Sequence, residues 1–295
     1  MTCSIRFLTG LALLIASITG SSAATPDAPL TLRWVGDPDT ANAVILPSVA
    51  ALLRDEHIAL DIDIKSSTKG IRTVLIGQAD IGGSGRYRIE GLPEESDVVF
   101  HPVAWDALVV VVHPLNPLGN LSIGDIKRLL RGDVDNWRQL GGPDAPIRLI
   151  AHEDIFSGVE YVLMNQLFGS IDIEFGKAEL VADDFNIGAA VAADPNAVAV
   201  MSMASARHFP VKPIELAGVA ANIDTLKSGE YRLFRPLYLI LAPSHQQRDA
   251  LETVVKFLES AKARPAIRDA GAIPYREAVV LVVRGMDIQR DLIAE

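Results

Sequence analysis

The residues of this sequence best suited to chemistry are hydroxyls placed where apolar stretches give way to helical patterns. Thr40 ends the turn Gly36-Asp37-Pro38-Asp39-Thr40, and Ser66, Ser67 and Thr68 precede Lys69-Gly70. Ser84 lies in Gly83-Ser84-Gly85-Arg86, and Ser157 opens Ser157-Gly158-Val159-Glu160. A helix start carries unpaired backbone N–H groups and a positive dipole end, which suit an anion. Hydroxyls and amides from several such turns can close around a small oxyanion without much net positive charge. The competing account is plain structure. Ser and Thr are ordinary cap and turn residues, and Ser157-x-x-Glu160 fits a capping box.

Other chemistries fit less well. Gly82-Gly83-Ser84-Gly85-Arg86 misses the G-x-S-x-G nucleophile elbow at its last position. His101, His113, His208 and His245 show no spacing that nominates a catalytic base, so the chain reads as a non-enzyme. His152-Glu153-Asp154 lacks a second His four residues on, so no metal site is expected. Gly83 and Gly85 do not complete G-x-G-x-x-G, and no cofactor is expected. Trp34, Trp105 and Trp137 read as packing residues.

The elements that must position those turns are legible in the pattern. Leu30–Val35 and the strictly alternating Ala59–Ile64 read as strands. Val98–His113, with its run Leu108-Val109-Val110-Val111-Val112, reads as a strand buried on both faces. Ile147–Ala151, Ala197–Met203 and Leu233–Leu241 are further strands. Helical spacing runs through Ile45 to Leu53, Ile71–Ile76, Leu121–Arg131, Ile187–Ala193, Ser244–Ala261 and Pro265–Gly271. Asp39 or Thr40 is the expected cap of the first helix. Strand, polar loop and helix thus recur, which implies α/β units. Ligands in such folds sit beyond the carboxyl ends of the strands, where these loops lie.

The 295 residues suffice for two ordinary domains. A formal charge of −10 makes a nucleic-acid or anionic-membrane partner a poor fit. Residues 1–24 read as a signal peptide: Arg6 supplies the charge, Phe7 to Ile18 the apolar run, and Ser22-Ala23-Ala24 the small residues before a cut. The only cysteine, Cys3, falls inside that segment, so the exported chain has no disulfide and relies on its core.

Taken in order, several of these stretches resemble the phosphate-binding proteins of bacterial ABC importers, a branch of the type II periplasmic binding proteins. The resemblance runs through Gly36 to Asn42, Ser67 to Ile71, Gln78 to Arg86, Asp106-Ala107-Leu108, Asn116-Pro117 and Leu121-Ser122. It continues through Asn136-Trp137, Gly141-Gly142-Pro143, Pro146-Ile147, Ser157-Gly158 and Arg235-Pro236-Leu237-Tyr238. It implies an α/β fold of two lobes with mixed sheets flanked by helices and two crossing hinge strands. The first lobe would be residues 30–111 plus 212–280, the second 112–211, with 281–295 as a C-terminal extension. Residues 276–295, with Ala278–Val283 apolar and a charged end, extend past the usual family core and either serve a partner or form a terminal strand and frayed tail. It also implies a periplasmic monomer that captures phosphate in the cleft and delivers it to an ABC permease. The alternative is a diverged member with another ligand, or with a sensory or interaction role.

Thr40, Ser67, Ser157 and Gly158 match the family's phosphate contacts, and Ser66, Thr68 and Ser84 flank them or stand in. Three positions depart: Glu153 stands where the family has Arg, Val159 where it has Thr, and Gly85 where it has Ser or Asp. A carboxylate at position 153 would repel a bound dianion; Arg86 turning inward would compensate, and a surface or hinge salt bridge is the equally simple expectation for Arg86.

Overall fold

The computed structural model describes residues 28–294 apart from 90, 157, 172, 174 and 183. The expected signal peptide and Ser157 therefore lie outside the described residues.

The chain begins with two strand–helix units and a third strand: β1 (Leu30–Gly36), α1 (Pro38–Thr40), α2 (Leu46–Glu56), β2 (Ile58–Ile64), α3 (Ser67–Leu75) and β3 (Ile81–Ser84). β1 pairs in parallel with β2 and with β3, so the loops after all three emerge on one side. The cap of α1 is Asp37, not the expected Asp39 or Thr40: its carboxylate accepts from the Thr40 backbone N–H at 2.9 Å. Pro38 fits the first helical turn, where no N–H is needed. Ser66 caps α3, accepting from Lys69 N–H. Gly70 lets that helix lie directly on the strand ends. A Cβ there would stand 2.6 Å from the Gly83 carbonyl and 2.8 Å from that of Val35. The close approach carries Ser67 over the ends of β1 and β3.

β4 (Val99–Val112) follows, and Val103 through Val112 are all buried, as the valine run predicts. Next come β5 (Asn120–Leu121), α4 (Ile123–Arg131), β6 (Arg148–His152), α5 (Val159–Phe168), β7 (Glu179–Val181), α6 (Asp184–Ala193) and β8 (Ala197–Ser202). Then α7 (Met203–Ala206), β9 (Lys212–Pro213), β10 (Glu215–Leu216) and α8 (Ile223–Ser228) lead to β11 (Phe234–Leu241). α9 (Arg248–Leu258), α10 (Arg264–Asp269), β12 (Ile273–Pro274) and α11 (Val280–Ala294) close the chain.

The main sheet has the order β2-β1-β3-β11-β4-β8-β6-β7, with β9 and β12 also on β4. It is mixed and flanked by helices. β4 belongs to both halves: up to Ala107 it pairs antiparallel with β11, and from Leu108 with β8. The return crossing is at Leu233–Phe234, where Leu233 accepts from Leu108 N–H at 2.9 Å. Each half buries its own core. One contains Leu32, Trp34, Leu237 and Phe257, the other Leu108, Trp137, Val162 and Val198. Residues 112 and 212 pair with each other inside the second half, because β9 adds to β4 there. The strand pairing therefore changes halves at 107/108 and 233/234, outside the expected 111/112 and 211/212.

Trp34 and Trp137 are fully buried, and Trp105 stacks on Tyr275 with ring centroids 4.8 Å apart. The terminal strand that Ala278–Val283 offers as one expectation is a helix instead. α11 packs on α5 and α8 and buries Leu281 in the second core.

Candidate ligand-binding site

The carboxyl ends of β1, β2 and β3 face the loop that leads from β6 into α5, and Arg235 lies between them. It is the second residue of β11 and is 1% exposed. Its Nε and Nη2 donate to Asp106 Oδ2 at 3.1 and 3.0 Å, and its Nη1 donates to the Gly85 carbonyl at 3.0 Å. Nη2 also pairs with Asp39. Asp39 in turn accepts from Ser205 Oγ at 2.5 Å, and Asp106 accepts from Ser202 Oγ at 2.9 Å.

Two of the sequence-predicted hydroxyls join this cluster. Thr40 Oγ1 donates to Asp37 Oδ2 at 2.7 Å, and both residues are buried. Ser67 Oγ accepts from Gly85 N–H at 3.0 Å. Gly158 reaches in from the other half of the molecule. A Cβ on it would lie 3.0 Å from Arg235 Nη1, 3.4 Å from Ser67 Oγ and 3.5 Å from the Gly85 carbonyl. Its φ of 134° also belongs to the region that favours glycine. Gly158 is the N-cap of α5, so the dipole end of that helix points into the same crevice.

The remaining predicted residues have other partners. Ser66 is occupied as the α3 cap. Thr68 Oγ1 donates to the Phe156 carbonyl at 3.4 Å, across the halves. Ser84 is buried, and its Oγ donates to the Arg86 carbonyl at 3.0 Å. Arg86 does turn inward, but to Glu95. The two form a buried bidentate pair at 2.7 and 3.1 Å, while Arg86 Nε donates to the Phe156 carbonyl. Glu153 is exposed, and its charge is left to solvent. Its neighbour His152 points inward instead and pairs with buried Glu160 at 2.7 Å.

Electrostatically the crevice holds three buried carboxylates, Asp37, Asp39 and Asp106, around one guanidinium. Burial raises the pKa of Asp37, with Asp39 adding to the effect. Burial also pushes Asp106 up to about 7, against the pull of Arg235. Burial opposes the charge on Arg235, yet Asp39 and Asp106 outweigh it and hold the guanidinium protonated. The crevice therefore offers a fixed cation, hydroxyls and a helix start, beside one acid, Asp106, able to carry a proton near neutral pH. Arg235 and Asp106 are absent from the sequence-predicted set. Their signal was a charge inside a strand otherwise made of buried apolar residues, which demands a partner.

A family model for the PBP superfamily domain matches residues 23–262. The chain belongs to that superfamily. Among PBP superfamily relatives, it is similar to the phosphate-binding protein PstS of Bacillus subtilis, 24% identical over 242 residues, covering 79% of this chain and 77% of that one. It is also similar to PstS of Borreliella burgdorferi, 20% identical over 176 residues. That match takes in 57% of this chain and spans 63% of the Borreliella protein. A crystal structure of a putative phosphate ABC transporter substrate-binding protein with bound phosphate, from Clostridium perfringens, superposes with a TM-score of 0.74 at 20% identity. The superposition covers 83% of this chain and 99% of that one, and it identifies the fold as the type II periplasmic binding protein fold.

Proposed function

We propose that this protein is an exported solute-binding protein that captures a small oxyanion, phosphate first, between its two halves. On this reading it works in the periplasm as a monomer, hands its ligand to an ABC permease, and performs no catalysis. The observation that carries the reading is the convergence of Thr40, Ser67 and Gly158 on Arg235. Three turns and one late strand bring an amide end, hydroxyls and a permanent cation to one crevice. A guanidinium is suited to a tetrahedral oxyanion because it donates in a fixed fork. Here Arg235 supplies the positive charge that position 153 does not. Likeness to phosphate-binding relatives supports phosphate as the first ligand to test.

Isothermal titration of refolded, ligand-free protein with phosphate tests the reading. Dissociation constants of about 1 μM or tighter are expected, since a Kd of that size corresponds to roughly 8 kcal/mol. No binding overturns it. A diverged member with a sensory or interaction role is the second reading. It is favoured by the exposed apolar residues Val279, Val280, Val283 and Met286 at the start of α11. Removing residues 279–294 separates the two: transport function predicts unchanged phosphate affinity, whereas an interaction role predicts lost partner capture.

A further inference from the structure

Next to the crevice lies a cavity of about 350 Å³ that a bare inorganic ion would leave unused. Its walls come from both halves. Pro38 and Asn42 bracket Thr40, and Ile64 and Lys65 lead into Ser66-Ser67. Opposite them stand Phe185, Ser205 and Phe209, with His208 beside them. Ser205 links this cavity to the crevice. Its Oγ donates to Asp39, whose other oxygen binds Arg235. One carboxylate thus separates the cavity from the cation.

The cavity is not a gap left by loose packing. Phe185 and Phe209 meet edge to face with centroids 5.6 Å apart, although Phe185 is 69% exposed. Phe209 is seated against Gly188 of α6, where any Cβ would collide with its ring. An exposed aromatic braced by a second, fixed one, facing Pro38 and Ile64, is a surface for a flat or apolar group. Resting on the oxyanion reading above, we propose that the cleft recognises an organic phosphoryl compound, a phosphate monoester or phosphonate. Its phosphoryl oxygens face Arg235, Ser67 and Thr40, and its organic substituent lies between the Phe185–Phe209 pair and Pro38–Ile64.

The test compares phenyl phosphate with inorganic phosphate by calorimetry on refolded, ligand-free protein, with phenol as the control for the ring alone. Phenyl phosphate is expected to bind about tenfold more tightly than phosphate, a preference of the size that an aromatic contact supplies. Phe185→Ala and Phe209→Ala are each expected to erase that preference and leave phosphate affinity within about twofold. Phe185 is exposed, so its variant keeps the test valid should Phe209→Ala fail to fold. Phosphate binding as tightly as phenyl phosphate, or Phe185→Ala weakening both ligands equally, overturns the proposal and leaves the oxyanion reading standing. Binding of neither phosphoryl ligand overturns both, and phenol binding as tightly as phenyl phosphate shows a site for the ring alone and overturns the proposal.

Discussion

Replacing Arg235 by Met tests the central cluster most directly. The guanidinium makes four hydrogen bonds, to Asp39, to Gly85 and twice to Asp106, in a place 1% exposed. Met keeps much of the volume but leaves the buried carboxylates without their cation. Breaking a buried pair from one side costs about 3–5 kcal/mol. For a chain of this size that is a fall in Tm of roughly 6–20 °C. The loss must depend on pH. Without Arg235, the folded-state pKa of Asp106 rises further above its unfolded value, because the guanidinium no longer pulls it down. The folded protein then holds protons that the unfolded chain has released, so stability falls as pH rises. Thermal melts by circular dichroism at pH 5 and pH 8 measure both effects, and the loss should be larger at pH 8. Adding Asp39→Asn and Asp106→Asn to Arg235→Met should restore at least half of it, because neutral amides need no counter-charge. A loss below about 1 kcal/mol, or one equal at the two pH values, would refute the idea that charge compensation holds these residues together.

Other outcomes follow from the same geometry. In the wild-type protein Asp106 is raised to about 7 by burial, so stability should decline as pH rises from about 4 to 7. Asp106→Asn should flatten that slope in urea melts. Gly158→Ala introduces a Cβ 3.0 Å from Arg235 at a φ of 134°, and should cost roughly 1–3 kcal/mol while abolishing phosphate binding in titrations. Glu95→Gln breaks the buried Arg86 pair and should lower Tm as a loss of about 3 kcal/mol would, yet leave phosphate affinity of the folded protein unchanged. Glu153→Gln removes an exposed charge and should change stability by less than about 0.5 kcal/mol, measured by the same melts.

The sequence makes the strands and polar turns readable because each is a local signal. The alternation of Ala59–Ile64 reappears as β2, and the valine run as the buried stretch of β4. The turns of Thr40 and Ser67 also arrive where parallel strands must deliver them. The ion cluster is a different matter. Asp106 and Arg235 stand 129 residues apart, and Asp39 and Arg235 stand 196 apart. Their meeting is fixed by β11 pairing between β3 and β4, which no local pattern encodes. The sequence does not mark where β6 ends, so the exposure of Glu153, the first residue beyond it, is not legible. His152, the last residue of β6, is held inward by Glu160, and the chain bends at Glu153, which is exposed. For Ala278–Val283, a short apolar run fits helix and strand equally well until its neighbours are known.

Asp106 and Arg235 sit directly opposite each other on β4 and β11, one step from the places where the chain passes between halves. On the proposed reading, the pivot of the molecule and its ligand-sensing charges are therefore the same few atoms. Any solute that shifts the protonation or alignment of Arg235 also changes how readily the two bodies swing apart. Selection could not adjust capture strength without altering release, and a substitution made for one would be felt in the other.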